Sequence, residues 1–142
     1  PRDRVPAYRL SAGARLEGVG SPEAVWRPVL GAALARALGP RGVLVDLRST
    51  GYLALARTPT VADRTVQVRV VRDGPAGRTV VSHLAKHTRG LVARHLLERA
   101  DDPPTPEQLA EALAARWRLE LARPQRPGQP WVVEVVEEAS GS

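Results

Sequence analysis

Cysteine, methionine and phenylalanine are all missing from this 142-residue chain. Without cysteine there is no disulfide, no thiolate metal site and no cysteine nucleophile, which fits a reducing cytoplasm. The sequence also lacks a run of 18 apolar residues and the start of a signal peptide. We therefore predict a cytoplasmic protein with no membrane partner. Because the chain begins at Pro1 without a methionine, we expect a fragment, or a processed or trimmed chain.

Lysine is almost missing as well, since Lys86 is the single lysine among 21 basic residues. With 15 acidic residues, the formal net charge is +6. Arginine binds phosphate or carboxylate through two parallel hydrogen bonds, so a basic excess favours anionic partners, nucleic acid included. A GC-rich coding source produces the same preference for arginine, and a net charge of +6 is normal for a soluble protein. The simpler interpretation is therefore that the basic excess serves solubility alone.

Three helices are predicted from their start signals and apolar spacing. The first runs from a Ser21 cap to about Leu38, where a Gly-Pro-Arg-Gly turn ends it. The second covers residues 84–99. The third opens with Thr105 as cap and a proline at the first position, and it carries Trp117.

Apolar and alternating runs predict strands between these helices. Residues 43–47 form a short apolar run, which predicts a buried strand. Residues 65–72 alternate, and with residues 78–82 they predict a β-hairpin. The other predicted elements are an extended piece at 5–10, a helical turn at 53–57, strands at 118–121 and 131–137, a loop at 123–130 and a frayed tail at 138–142. We predict an α/β (α+β) fold, with residues 1–142 as one compact domain whose mixed sheet has flanking helices.

The helix over residues 84–99 carries the strongest functional signal. At 100° per residue, Arg89 falls inside its apolar stripe, where a charge needs a carboxylate, carbonyl oxygens or an anionic ligand. Glycine at position 90 costs the helix roughly 1 kcal/mol relative to alanine. A glycine there would make sense where another group must approach the helix backbone closely. The alternative is an ordinary amphipathic helix whose Arg89 pairs with Asp46 or another acid. The apolar face holds Ala85, Val92, Ala93 and Leu96, and the opposite face holds Lys86, His87, Gly90 and Arg94.

A second polar segment, Asp46-Leu47-Arg48-Ser49, follows the predicted strand at 43–47. Polar residues at the carboxyl ends of strands in open α/β sheets often line a site. Asp46 could orient a basic group and Ser49 could contact phosphate. A turn capped by the aspartate side chain is the equally simple alternative.

Metal and nucleophile patterns are weak. His83 and His87 have the i, i+4 spacing of metal ligands, but no HExxH pattern is present and Lys86 would repel a cation. There is no GxSxG elbow and no phosphate-loop glycine pattern. We predict no metal site and no cofactor. Tyr8 and Tyr52 are each compatible with ligand binding or with core packing.

In their order, these residues resemble the YaaA family of bacterial peroxide stress proteins. The resemblance covers about residues 6–121 and consists of several short segments. They are Tyr8-Arg9-Leu10, Trp26 at a helix start, the segment Asp46-Leu47-Arg48-Ser49 with Tyr52, the strand end Val80-Val81-Ser82-His83, and Ala85-Lys86 with Arg89-Gly90 and Arg94.

The resemblance implies a cytoplasmic protein that protects against peroxide by limiting free iron and the DNA damage it causes. It implies a compact α/β fold with a positively charged cleft, and DNA binding through a helix-hairpin-helix in the N-terminal half. This chain would then be the C-terminal half, with the N-terminal half as its partner. Residue 87 is histidine where the family often has lysine, which weakens the basic face at neutral pH. The implied cleft residues are Asp46, Ser49, Tyr52, Lys86, Arg89 and Arg94, and Arg48 is a further candidate.

Three hypotheses follow. The first is a peroxide-stress protein whose basic cleft binds DNA or another phosphate-bearing ligand. The second is an enzyme that acts on a small anionic or nucleobase-like substrate. The third is a purely structural role, in which the polar residues complete a salt-bridged core. For the enzyme hypothesis the pocket would be lined by Asp46, Ser49, Tyr52, Lys86 and Arg89.

Overall fold

A computed structural model describes residue 11 and residues 13–53, 58–75, 77–81 and 85–137. Several sequence predictions lie outside the described residues. They are the extended piece at 5–10 with Tyr8, residues 54–57 of the predicted helical turn, residues 82–84 with His83, and the tail at 138–142.

Two of the three predicted helix starts are confirmed by their caps. The Ser21 hydroxyl accepts a hydrogen bond from the backbone N–H of Ala24 at 3.2 Å, and the Thr105 hydroxyl accepts one from Gln108 at 3.2 Å. Each satisfies an N–H group that the first turn leaves unpaired. Gly39 has φ of 65°, a conformation that glycine adopts without strain. The helices are α1 (Pro22–Leu38), α2 (Thr50–Leu53), α3 (Ala85–Leu97) and α4 (Pro106–Ala114), with a 3₁₀ helix at Pro59–Arg64.

The described strands form one mixed sheet, as predicted. The strands are β1 (Leu44–Asp46), β2 (Thr65–Gly74), β3 (Gly77–Val80), β4 (Leu119–Ala122) and β5 (Trp131–Glu137). In order across the sheet, β1, β2 and β5 run parallel, and β4 lies antiparallel beside β5. The predicted hairpin is present, with β3 antiparallel to β2. Since β5 occupies one edge of β2, β1 and β3 share its other edge.

The core lies between one face of this sheet and two helices. The alternation in β2 turns Val66 and Val68 toward the helices, while Gln67 and Arg69 lie on the opposite face. Apolar side chains recur every second residue of a strand, so the register fixes which face is buried. The residues buried in this core are Val66, Val68, Val92, Leu109, Ala110, Leu113, Val133 and Val135.

Two details differ from the sequence prediction. The strand at 43–47 was expected to be buried, but β1 has three residues and only Asp46 among them is buried. Its position explains the difference, because β1 lies at the sheet edge and pairs with β2 alone among the described strands. Trp117 was expected on the third helix, but α4 ends at Ala114 and Trp117 lies in the turn that follows. Within the described ranges, no helix is long and apolar enough to cross a membrane.

Candidate functional site

A cavity of about 620 Å³ opens where the carboxyl end of β1 meets the amino end of β2. The 3₁₀ helix forms one wall, and the loop between β4 and β5 forms another. Its polar lining combines one charged pair with hydroxyl and amide groups. The polar residues on its walls are Asp46, Arg48, Thr50, Thr58, Thr65, Gln67 and Gln129.

Asp46 and Arg48 form a two-pronged ion pair on the wall of this cavity. The Arg48 Nε donates to Asp46 Oδ1 at 2.9 Å, and Nη2 donates to Oδ2 at 2.6 Å. The backbone N–H of Arg48 also donates to Oδ1, at 3.1 Å. These hydrogen bonds from the guanidinium to Asp46 raise the pKa of Arg48. Asp46 is buried, whereas 30% of the Arg48 side-chain surface remains exposed, so the carboxylate holds the guanidinium in one orientation.

Backbone and side-chain contacts fix the walls. Parallel pairing sets Asp46 beside Gln67, so both side chains lie on the same face of the sheet. The Thr65 hydroxyl donates to the carbonyl of Val61 at 2.7 Å, which holds the 3₁₀ helix to the start of β2. The Trp131 indole N–H donates to the carbonyl of Asp63 at 3.0 Å and fixes the same helix to β5.

The cavity continues into a smaller depression of about 360 Å³ along the same face of the sheet. The two share Gln67, Gln129 and Pro130. The depression adds Arg69, Arg123 and Glu134. We call the cavity and this depression together the trough. Its described walls carry Arg48, Arg69 and Arg123 against two acids, Asp46 and Glu134, so its formal charge is weakly positive.

A network of ion pairs lies on the same face, beyond the depression. Arg78 contacts Asp73 at 2.9 Å, Glu120 at 2.7 Å and Glu134 at 3.2 Å. Hydrogen bonds from Arg78 lower the pKa of Asp73 and of Glu120, and Arg118 adds a second hydrogen bond to Asp73. These carboxylates are therefore ionised at neutral pH and already have cationic partners.

Only some of the predicted site residues meet at the cavity. Asp46 and Arg48 line it, but Ser49 and Tyr52 do not. The Ser49 carbonyl accepts hydrogen bonds from the N–H groups of Tyr52 and Leu53, both at 2.9 Å, and so begins α2. The Tyr52 side chain is exposed.

The three cations predicted on α3 lie away from the cavity. Lys86 and Arg94 are exposed, and the Arg94 Nε contacts Glu98 at 2.6 Å. Arg89 is half-buried, and its Nε donates to the carbonyl of Val68 at 3.4 Å. The alternative in which Arg89 pairs with Asp46 is wrong, because Asp46 pairs with Arg48. In the described chain Arg89 makes no ion pair, so a carbonyl oxygen takes the place of the expected acid.

The helical-wheel division of α3 matches the observed burial. Ala85 and Val92 are buried, and the exposed residues are Lys86, His87, Gly90 and Arg94. Thr88 is also buried, and its hydroxyl is hydrogen-bonded to Glu137. No group of three His, Asp or Glu side chains suited to a metal ion occurs among the described residues. His83 lies outside them, so the expectation that His83 and His87 hold no metal ion stays a prediction.

Apart from Thr50, which directly follows the predicted polar segment, sequence reasoning missed four polar residues of the cavity wall, namely Thr58, Thr65, Gln67 and Gln129. Gln67 carries a weak signal, because it is a polar residue at an outward position of an alternating strand. The other three come from the loop before β5 and from the ends of the 3₁₀ helix. Their proximity to Asp46 depends on strand pairings between distant parts of the chain, and no local pattern reports those pairings.

Gly90 offers a direct test of whether the surface of α3 is open at this position. Apart from its chain neighbours and the backbone of its own helix, a methyl group added there would have no described heavy atom within 4 Å, and glycine inside a helix costs roughly 1 kcal/mol against alanine. We expect Gly90→Ala to raise the free energy of unfolding by about 0.5–1 kcal/mol in urea titrations. Gly128→Ala is the contrast. Because φ is +80° at Gly128, we expect this substitution to lower the free energy of unfolding by about 1 kcal/mol. A Gly90→Ala variant that is less stable would show that an unseen contact surrounds Gly90.

Several known proteins are similar to this chain in sequence. Residues 1–122 match the family model described as peroxide stress protein YaaA. A UPF0246 protein from Streptomyces coelicolor is 40% identical over 136 residues, covering 94% of this chain and 51% of that protein. One from Salinispora tropica is 36% identical over 131 residues, covering 89% and 48%, and one from Corynebacterium efficiens is 34% identical over 110 residues, covering 77% and 44%. The chain thus spans about half the length of these relatives.

Proposed function

The chain belongs to the YaaA family of peroxide stress proteins, and from that premise we propose that it binds a phosphate-bearing ligand, with DNA as the first candidate. Binding of this kind would protect DNA by limiting iron-driven oxidative damage. The site we assign to the ligand is the trough. Arg48 is the cation that contacts a phosphate group, and the cavity holds a part of the ligand about the size of one nucleotide.

The observation that carries this proposal is the Asp46–Arg48 pair on the cavity wall. A guanidinium held by a buried carboxylate is already oriented, so a phosphate that binds it does not have to order a flexible side chain. The cavity of about 620 Å³ lies within the range of roughly 300–1,000 Å³ typical of small-ligand pockets. Hydroxyl and amide groups of Thr58, Gln67 and Gln129 supply further hydrogen bonds around it.

The surface around the cavity supports a polyanion in particular. Arg69 and Arg123 continue the trough beyond Arg48, so the trough offers more than one cation to the phosphates of a single strand. The Arg123 guanidinium lies 5.4 Å from the centre of the Trp131 ring and 3.5 Å from the Glu107 carboxylate, and these two contacts hold it beside the trough. Lys86 on α3 is the competing cation, since it is exposed and lies outside the trough.

Binding to single-stranded DNA tests this proposal. We expect affinity to fall steeply as salt rises, because each phosphate contact releases condensed counterions. Arg69→Gln should weaken binding by about tenfold at low salt, the size expected for one lost charge-assisted contact. Arg116→Gln is the control, since it removes an exposed arginine outside the trough. Binding that weakens equally in both variants, or only in Lys86→Gln, would remove the trough from the proposal.

The alternative function is an enzyme acting on a small anionic or nucleobase-like substrate in the same cavity. One feature of the lining favours this alternative. Among the described residues of the cavity wall, Asp46 and Arg48 are the charged ones, their formal charges sum to zero, and the other polar groups are neutral. Such a lining suits the hydrogen-bonding edge of a base better than a long polyanion. Nucleotide consumption by the family-length protein, measured over several turnovers and absent in Arg48→Met, would favour the enzyme. Tight nucleotide binding without turnover would favour the binding protein.

A further inference from the structure

Helix α1 carries an apolar stripe that the described structure leaves open to solvent. None of its 17 residues is buried. Val25 is 42% exposed, Trp26 51% and Val29 54%. A helix of this composition gains most of its stability by packing its apolar face against another element, so the stripe is a contact surface without its partner.

The spacing of these residues makes the surface continuous. Val25 and Val29 are one turn apart, and Trp26 lies beside them on the adjacent row. The exposed Ala32 and Ala33 extend the stripe by another turn. The opposite side of α1 contacts the 3₁₀ helix, and the Arg64 guanidinium donates to the carbonyl of Gly39 at 2.9 Å. The stripe therefore faces away from the rest of the described chain. Leu16 and Val19, in the turn before α1, are exposed as well.

We infer that this stripe, with Trp26 as its central anchor, packs against the half of a family-length chain that these 142 residues do not include. The relatives are about twice as long as the matched region, so each carries a second segment of about the same size in one chain with it. An exposed apolar patch centred on tryptophan is typical of an interaction site. A second copy of this chain fits less well, because Arg36 is exposed on the same helix side and the net charge of +6 would be repeated across the contact.

Cysteine labelling tests the inference cleanly, because the chain has no cysteine of its own. Val29→Cys and Leu97→Cys each introduce one thiol. Leu97 is the matched control, being an apolar helix residue that is 85% exposed on α3. Each variant is prepared as the 142-residue chain and also as a joined chain, in which the part of the Streptomyces coelicolor protein that this chain does not match is attached in its native order. The cysteines of the added half are replaced by serine, and circular dichroism confirms that every protein is folded.

The expected result is that Val29→Cys reacts with a maleimide about tenfold or more slowly in the joined chain, as for a side chain that must become exposed before it reacts. Leu97→Cys should react at the same rate in the 142-residue chain and in the joined chain. Equal reactivity of Val29→Cys in the folded joined chain would overturn the inference. Protection that appears only at concentrations where sedimentation detects dimers would also overturn it, and would identify a second copy as the occupant. Neither outcome depends on the phosphate proposal, which the DNA measurements test separately.

Discussion

Replacing Arg48 with methionine is expected to lower the free energy of unfolding by about 2–3 kcal/mol and to abolish measurable binding of phosphate-bearing ligands. The loss of stability arises because Asp46 would remain buried with a charge and without its cationic partner. We take the lower end of the range for broken buried pairs, since 30% of Arg48 is exposed and water already screens part of the pair. The loss of binding arises because the proposed phosphate contact is removed.

A double substitution separates these two effects. Asp46→Asn with Arg48→Met removes both charges, so the stability should return to within about 1 kcal/mol of the original chain while ligand binding stays absent. Urea titrations of the single and double variants at pH 7 measure the change in stability, and ligand titrations of the same variants measure the change in binding. A double variant that regains ligand affinity would show that Arg48 does not contact the ligand.

Replacing Leu113 with alanine is expected to lower the free energy of unfolding by about 3 kcal/mol. Leu113 lies on α4, is fully buried and belongs to the cluster that includes Val68 and Val133. Removal of its side chain leaves a cavity that the close-packed strands can fill only in part, because their backbone pairing fixes their spacing.

Leu97→Ala is the control for this substitution. It changes the same side chain on α3, where 85% of it is exposed, so we expect a change within about 0.5 kcal/mol. Thermal unfolding followed by circular dichroism compares the two variants. Similar losses for both would mean that α4 does not pack against the sheet as described.

Local sequence signals were sufficient for most elements of this fold. The Ser21 and Thr105 caps predicted both helix starts, because a side-chain oxygen followed by proline satisfies and shapes a first helical turn. The alternation in β2 identified which residues face the helices. On α3, 100° spacing separated the buried Val92 from the exposed Lys86.

Long-range pairing limited the prediction of the site. The sequence indicated a polar segment at Asp46 and another on α3, but it could not say whether the two would meet. In the structure the carboxyl end of β1 faces the loop before β5, because β2 pairs with both strands, and the α3 cations remain elsewhere. Short loops such as Pro127–Pro130 carry no periodic pattern, so their role as a cavity wall depends on the register of β5. The ligand roles of Asp46, Arg48 and the other candidates stay predictions.

Amide NMR spectra recorded during titration with a short single-stranded DNA, and separately with a nucleoside monophosphate, test the central claim most directly. We expect the largest shifts at Arg48, Gln67 and Gln129, with saturation by either ligand and loss of the shifts in Arg48→Met. The α3 residues Lys86 and Arg94 should change little. Shifts confined to α3, or an unchanged spectrum of the folded chain at millimolar ligand, would contradict the assignment of the phosphate site to the Asp46–Arg48 cavity.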